Sequence, residues 1–229
     1  MSKITTCISS NNNLEYLKLA IKSVRQNAYY KDMPIITHAE NCNDGTDEWL
    51  EENKDKYQLD IYIDHNDNPK GIGGGMDFCV DKTKTEFVNI IHADMWISPN
   101  QDLELLKLYD NIDKNTRLIA SSFRIQPKIF PNDPLFAPAS WEDMDLFIRM
   151  QLEGYEFKMT SKSTVYHFSA RGSHFRDEAK DNFNQKSQRQ QIAEQNNMQK
   201  FTKKWGKLPD HDEQTFVKPI HNTKVKTRI

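Results

Sequence analysis

Cysteine is scarce in this chain of 229 residues: Cys7, Cys42 and Cys79 are odd in number, widely spaced and without C-x-x-C pairing. Neither a disulfide framework nor a zinc site is indicated by them, and the three read as reduced packing residues. Long apolar runs are missing too. At a mean hydropathy of -0.81, no window of about 18 apolar residues could span a bilayer, so no transmembrane segment is expected. The N-terminus, MSKITTCISS, lacks the basic region and apolar stretch of a secretory signal, which points to a cytoplasmic protein. Nor is one charge in excess. The 31 Lys and Arg nearly cancel the 33 Asp and Glu, and with only a short basic tail this argues against a nucleic-acid partner. What is present is enough apolar content, 37% with 10% aromatic, to fill one sizeable core.

Ile4 to Ser9 is a β-branched and apolar run, after which Leu14, Leu17, Ala20, Ile21 and Val24 recur at helical spacing. Pro34 to Thr37 predicts a second strand, broken by Asn41 to Gly45; Thr46, Asp47 and Glu48 then supply an N-cap and first-turn acids. Ile61 to Ile63 gives a third strand, Pro69 to Gly75 a loop, Phe78 and Val80 a helix, and Phe87 to Ile91 a fourth strand. This alternation predicts an α/β fold, a mostly parallel sheet flanked by helices. Beyond Asp94 come a helix opened by Ser98-Pro99, a strand at Leu118 to Phe123, and a loop punctuated by Pro127, Pro131, Pro134 and Pro138. A helix from Glu142 to about Glu153 and a strand near Ser163 to His167 follow. Asp177 to Lys204 is polar and Gln-rich, anchored at Ile192, Phe201 and Trp205 and stopped by Gly206 and Pro209.

In an open α/β sheet, ligands settle outside the carboxyl ends of the strands. Here those ends are polar: Ser9-Ser10-Asn11, Glu40-Asn41, Asp64-His65-Asn66 and His92-Ala93-Asp94. Asp94, delivered by an apolar strand, is a hard oxygen ligand suited to Mg or Mn. Gly71, Gly73, Gly74 and Gly75 permit close backbone approach with Lys70 within reach of a phosphate, or else form a flexible turn. Ser140 can cap a helix whose N3 residue is Asp143, with Met144, Phe147, Ile148 and Leu152 as its buried stripe and Asp145 paired to Arg149. Glu142 and Asp143 then occupy the first turn, where the helix dipole keeps a carboxylate ionised, as a general base requires. Both acids could equally do no more than satisfy the helix N-terminus. His167 closes another β-branched run; with Asp94 it would make a mixed oxygen and nitrogen metal site, and Arg171, Ser173 and His174 could meet phosphate oxygens.

These pieces in this order resemble family two of the glycosyltransferases, inverting enzymes with a GT-A fold. The D-N-x-S-x-D-G-T-like loop is matched by Glu40-Asn41-Cys42-Asn43-Asp44-Gly45-Thr46, and the N-x-G segment by Asn68-Pro69-Lys70-Gly71 running on to Asp77. The D-x-D motif is matched by His92-Ala93-Asp94. E-D-x-D-L-x-x-R, G-Y and V-x-H are matched in order by Glu142 to Arg149, Gly154-Tyr155 and Val165-Tyr166-His167. Trp141-Glu142-Asp143 is similar to the form found in rhamnosyl- and galactofuranosyltransferase-like members. Two departures stand out: His92 replaces the first aspartate of D-x-D, and Glu40 stands near the place of a base-recognising aspartate.

The resemblance implies transfer of a sugar, hexosyl or deoxyhexosyl, from a nucleotide diphosphate (UDP, with GDP and dTDP as alternatives) to a glycan or other hydroxyl acceptor. Asp143 would be the base, with Glu142 beside it, and Trp141 would meet the acceptor. Asp94, His167 and His92 would hold Mn or Mg. The donor would be bound by Ser9, Glu40, Asn41, Lys70, Gly71, Asp77, His92, Ala93, Arg171, Ser173 and His174. Residues 1–100 form the nucleotide-sugar half, 101–176 the acceptor and catalytic half, and 177–229 a helical extension with a basic tail. Two other readings use the same residues: a catalytically silent glycan- or nucleotide-binding module of this fold, and a nucleotidyltransferase or metal phosphohydrolase.

Overall fold

The first strand, β1 (Ile4–Ser10), is buried along nearly its whole length, which explains why its residues are apolar or small and hydroxylated instead of alternating with charges. After it come α1 (Leu14–Asn27), β2 (Ile35–Glu40), α2 (Thr46–Tyr57), β3 (Leu59–Asp64), α3 (Gly71–Lys82), β4 (Phe87–His92), β5 (Met95–Ile97) and α4 (Gln101–Asp110). Then follow β6 (Leu118–Ala120), β7 (Ile125–Pro127), a 3-10 turn at Pro134–Phe136, α5 (Glu142–Leu152), β8 (Glu156–Lys158), β9 (Val165–His167) and α6 (Gln188–Trp205). The structure, a computed structural model, describes residues 2–110, 118–120, 125–127, 131–158, 160–168 and 188–208.

A seven-stranded sheet runs in the order β3-β2-β1-β4-β7-β6-β8, and β5 and β9 form a separate two-stranded ribbon. β3, β2, β1 and β4 are mutually parallel, whereas β7 runs antiparallel to β4 and β6. The expected mostly parallel α/β sheet is therefore present. Alternate residues serve opposite layers: Ile4, Ile8, Ile35 and Ile91 pack with Leu17, Ala20, Ile21 and Val24 of α1. Cys7, Ile36, Val88 and Ile90 pack with Met76, Cys79 and Val80 of α3. The chain moves outward from β1 to β3 and then returns to β4, so the switch point where such sheets bind ligands lies between β1 and β4. Register aligns Ser9 with both His38 and His92 there, and Glu40 with Asp64.

Several local expectations are corrected. The glycines from Gly71 to Gly75 open α3 and are not a loop. They are there for packing: a Cβ on Gly75 would run into Ser9 Oγ and stand 3.0 Å from His38 Nδ1, and one on Gly73 would lie 3.1 Å from Asn132 Cβ. Gly71 has φ +71, and its missing Cβ makes room for the Pro138 backbone, whose carbonyl accepts from Ile72 N at 2.9 Å. Thr46 is not the N-cap of α2, since Gly45 occupies that position. The Asp44 carboxylate does the capping, accepting from Thr46 N and Oγ1 and from Leu14 N of α1. Ser140 does not cap α5: Trp141 is its N-cap residue, without a side-chain cap bond, so Asp143 is the second helical residue and not the N3 residue. Leu152 and Ile192, expected in buried stripes, are 44% and 52% exposed, whereas Phe201 and Trp205 are fully buried. No helix among the described residues is long and apolar enough to cross a membrane.

Candidate active site

β4 delivers His92 and, after Ala93, the buried Asp94 to the carboxyl edge of the sheet. The chain then turns back as β5, and β9 pairs with it antiparallel, Met95 opposite His167. Phe168 N donates to Asp94 O at 3.0 Å. This ribbon brings residues far apart in sequence together, His167 Nε2 lying 3.2 Å from Asp94 Oδ1. The rings of His92 and His167 stand edge to face, 5.5 Å between centroids. One ligand atom from each of His92, Asp94 and His167 falls within 4.8 Å of the others, the one cluster of this kind among the described residues. Burial by itself would raise the Asp94 carboxyl, but the hydrogen bond and charge of His167, aided by His92, hold it below its ordinary value. One carboxylate oxygen and two imidazole nitrogens fit a divalent cation.

At the β2 and β3 end, Glu40 is 5% exposed, and both its oxygens face the start of α3. Oε1 accepts from Lys70 N at 2.7 Å and Oε2 from Gly71 N at 3.0 Å. Its charge therefore complements the positive end of that helix. Lys70 Nζ lies 2.5 Å from Asp64 Oδ2 and 4.0 Å from Glu40 Oε1. The lysine expected to meet a phosphate thus leans on two carboxylates of the β2–β3 edge. Lys70 first, then His38, hold the Asp64 carboxyl below its ordinary range. His38 is fully buried, its Nε2 3.1 Å from Asp64 Oδ2; inside an apolar strand it left no sequence signal. Asn41 joins the two strand ends, bonding Asn66 through both Nδ2 and Oδ1.

On the other side of α3 lies a cavity of about 300 Å³ lined by Lys70, Gly73, Gly74, Asp77, Asn132, Asp133, Pro134, Phe136, Ala137 and Glu142. Of the two acids at the start of α5, Glu142 lines it, at 9% exposure. Asp143 is half-buried, and its Oδ1 accepts from Met144 N at 2.8 Å. Asp77 fastens α3 to the facing loop, its oxygens accepting from Asn132 N at 2.7 Å and Nδ2 at 3.0 Å.

A family model described as glycosyl transferase family 2 matches residues 5–213. The chain belongs to this family. No curated relative matches the sequence. Among solved structures, S. aureus TarS is similar with a TM-score of 0.59 and 13% identity, over 72% of this chain and 36% of TarS. TarS 1-349 in complex with UDP gives 0.59 and 13% over 72% of this chain and 60% of that one. The chain thus spans little more than a third of TarS and three fifths of the fragment. At such identity the likeness concerns the fold, and it agrees with the GT-A type expected from the motifs.

Within this family 2 chain, the structure divides the E-D-x-D-L-x-x-R match into two parts. Glu142 and Asp143 lie in the first turn of α5, whereas Asp145 is fully buried and ion-paired with Arg149 at 2.8 Å. Asp145 also accepts from Trp205 Nε1 at 2.9 Å and pairs with Lys204 at 2.5 Å. Trp141, expected at the acceptor, packs on Phe201 with ring centroids 5.0 Å apart. Ser9 lies beside the α3 glycines. Arg171, Ser173 and His174 lie outside the described residues. Sequence reasoning missed Asn132 and Asn197; neither falls in a motif.

Proposed function

We propose that this protein moves a sugar from a nucleotide diphosphate to a hydroxyl acceptor with inversion at the anomeric carbon. The observation that carries the reading is the meeting of His92, Asp94 and His167 at the carboxyl end of β4 in a family 2 chain. A divalent cation, Mn or Mg, would be held by those three and would supply stabilisation of the charge developing on the leaving diphosphate. An acceptor hydroxyl is too weakly acidic to ionise beforehand, so a carboxylate must take its proton during attack. Asp143 is given this role by family position. Glu142, one residue earlier, points about 100° away on the helix and lines the cavity, where it can accept hydrogen bonds from sugar hydroxyls. UDP is the first choice of nucleotide, since TarS 1-349 is known in complex with UDP; GDP and dTDP follow. The Trp141-Glu142-Asp143 form favours a deoxyhexosyl or hexosyl donor, and a glycan is the expected acceptor.

The test is a screen of sugar nucleotides for release of the nucleoside diphosphate, with Mn and with EDTA. One donor should turn over with Mn and not with EDTA. Asp143→Asn should lower that rate by roughly 10² to 10⁴ with little change in donor binding, and Glu142→Gln should be milder. A larger loss in Glu142→Gln would transfer the base role to Glu142. Binding without turnover of any donor would favour the silent module, and no nucleotide binding at all would end the reading.

A further inference from the structure

α6 is absent from both the metal cluster and the cavity lining, yet it is bonded to the backbone that walls the cavity. Asn197, 1% exposed, donates from Nδ2 to three carbonyls: Phe136 at 2.6 Å, Ala139 at 2.8 Å and Ser140 at 3.2 Å. Without it those carbonyls would lose their partner in a buried setting. Gln190 Nε2 donates to Ser140 Oγ at 2.9 Å, and Lys200 Nζ to Leu135 O at 3.0 Å. Phe201, fully buried, stacks near Phe136 and Trp141.

The segment held in this way is one that would not hold itself. Ser140 has φ 78 and Trp141 φ 73, two successive L residues in the left-handed region that side chains disfavour. The next two residues are Glu142 and Asp143. The direction in which α5 leaves that turn fixes where both carboxylates point, and strained turns persist only where their surroundings over-determine them. We infer that α6 is a clamp that aims the Glu142 and Asp143 carboxylates, with Asn197 as the positioning residue; the catalytic part of this inference rests on the transferase reading above. Asn197 touches no donor or acceptor in this account. It acts by fixing the backbone of residues 136–141.

The full chain carrying Asn197→Ala tests this, with Thr202→Ala as control, since Thr202 is exposed and its hydroxyl bonds back to Met198 O of the same helix. Three readouts are needed: nucleoside diphosphate release from the sugar nucleotide that the wild type turns over, affinity for that nucleoside diphosphate with Mn, and amide exchange by peptide. The expected result is a kcat lower by about 10²-fold, as for a misaimed catalytic group, with nucleotide affinity unchanged. Exchange should accelerate in residues 134–144 while peptides from β1 to β4 stay protected. A folded Asn197→Ala protein with wild-type kcat overturns the inference, as does a loss shared equally by kcat, affinity and protection across the sheet. Should Asn197→Ala not fold, Gln190→Ala is read in the same way, with faster exchange near Ser140 and a kcat loss of about tenfold expected; unchanged values overturn the inference. A wild type that turns over no sugar nucleotide ends the transferase reading, whereas the exchange arm alone still upholds or removes the clamp.

Discussion

Asp145→Asn is the sharpest test of how α5 and α6 are held together. Asp145 has no exposed surface and accepts from Arg149, Trp205 and Lys204 at once. Substitution by Asn keeps the shape and one acceptor oxygen, but leaves the Arg149 guanidinium with the Pro131 carbonyl at 2.8 Å as its hydrogen-bond partner and Asp133 as the carboxylate still acting on it. Lys204 keeps its pair with Asp133 at 2.7 Å. Removing one member of a buried ion pair costs about 3 to 5 kcal/mol. Because Lys204 has a second partner and Trp205 can still donate to the amide oxygen, the low end, about 3 kcal/mol, is expected here. With a urea slope of about 2.5 kcal/mol per M, the unfolding midpoint should fall by roughly 1.2 M. Urea titration followed by far-UV circular dichroism gives the number. A double-mutant cycle with Arg149→Met should return a coupling of at least about 1 kcal/mol, the double variant losing less than the sum of the singles. A midpoint lowered by less than about 0.3 M would show that the buried charge contributes nothing net, contrary to this reasoning.

Three further outcomes are expected. His92→Asp adds a second carboxylate to the cluster and should tighten Mn binding by about tenfold in calorimetry, whereas unchanged affinity would refute the view that the missing carboxylate charge weakens the site. Asp64, held below its ordinary value by Lys70 and then His38, adds stability above the unfolded-state carboxyl pKa that is lost as pH falls toward the depressed folded value. Lys70→Met should therefore lose less of its stability between about pH 5 and about pH 3 than the wild type does, and parallel urea-midpoint curves would refute this. Gly75→Ala must lift α3 away from Ser9 and His38 and should cost about 1 to 3 kcal/mol; a melting temperature at or above that of the wild type would contradict the packing role.

The four parallel strands and their polar ends were legible because a buried strand needs continuous apolar residues and a ligand crevice needs polar ends, and both leave local marks. Glycine was misread because it looks the same in a turn and at a close helix-to-sheet approach. Only the position of Ser9 and His38 beneath Gly75 tells them apart. Capping failed for a related reason. Ser140 is a good cap by residue type, but α6 spends its side chain elsewhere, as an acceptor from Gln190, and leaves Trp141 to open the helix.

The pairing of Asp145 with Arg149 shows where local reading stops. Spacing i,i+4 is satisfied equally by an exposed pair, which is worth little, and by a buried one, which is costly to break. The two differ only in what covers them. Here the cover is Trp205 and Lys204, and Trp205 donates across 60 residues of sequence. α6 itself is a polar helix whose buried anchors, Phe201 and Trp205, are too sparse to announce a docking face. Its specific hold on the loop comes from amide side chains, Asn197 and Gln190, residue types that read as solvent-facing until the carbonyls they serve are known. On the clamp inferred above, a change in this helix leaves the Glu40 to Thr46, Asn68 to Asp77 and His92 to Asp94 segments intact and still displaces the residues that start α5. On that same inference, the direction of the Glu142 and Asp143 carboxylates is set by Asn197 and Gln190, two side chains that the E-D-x-D-L-x-x-R match does not contain.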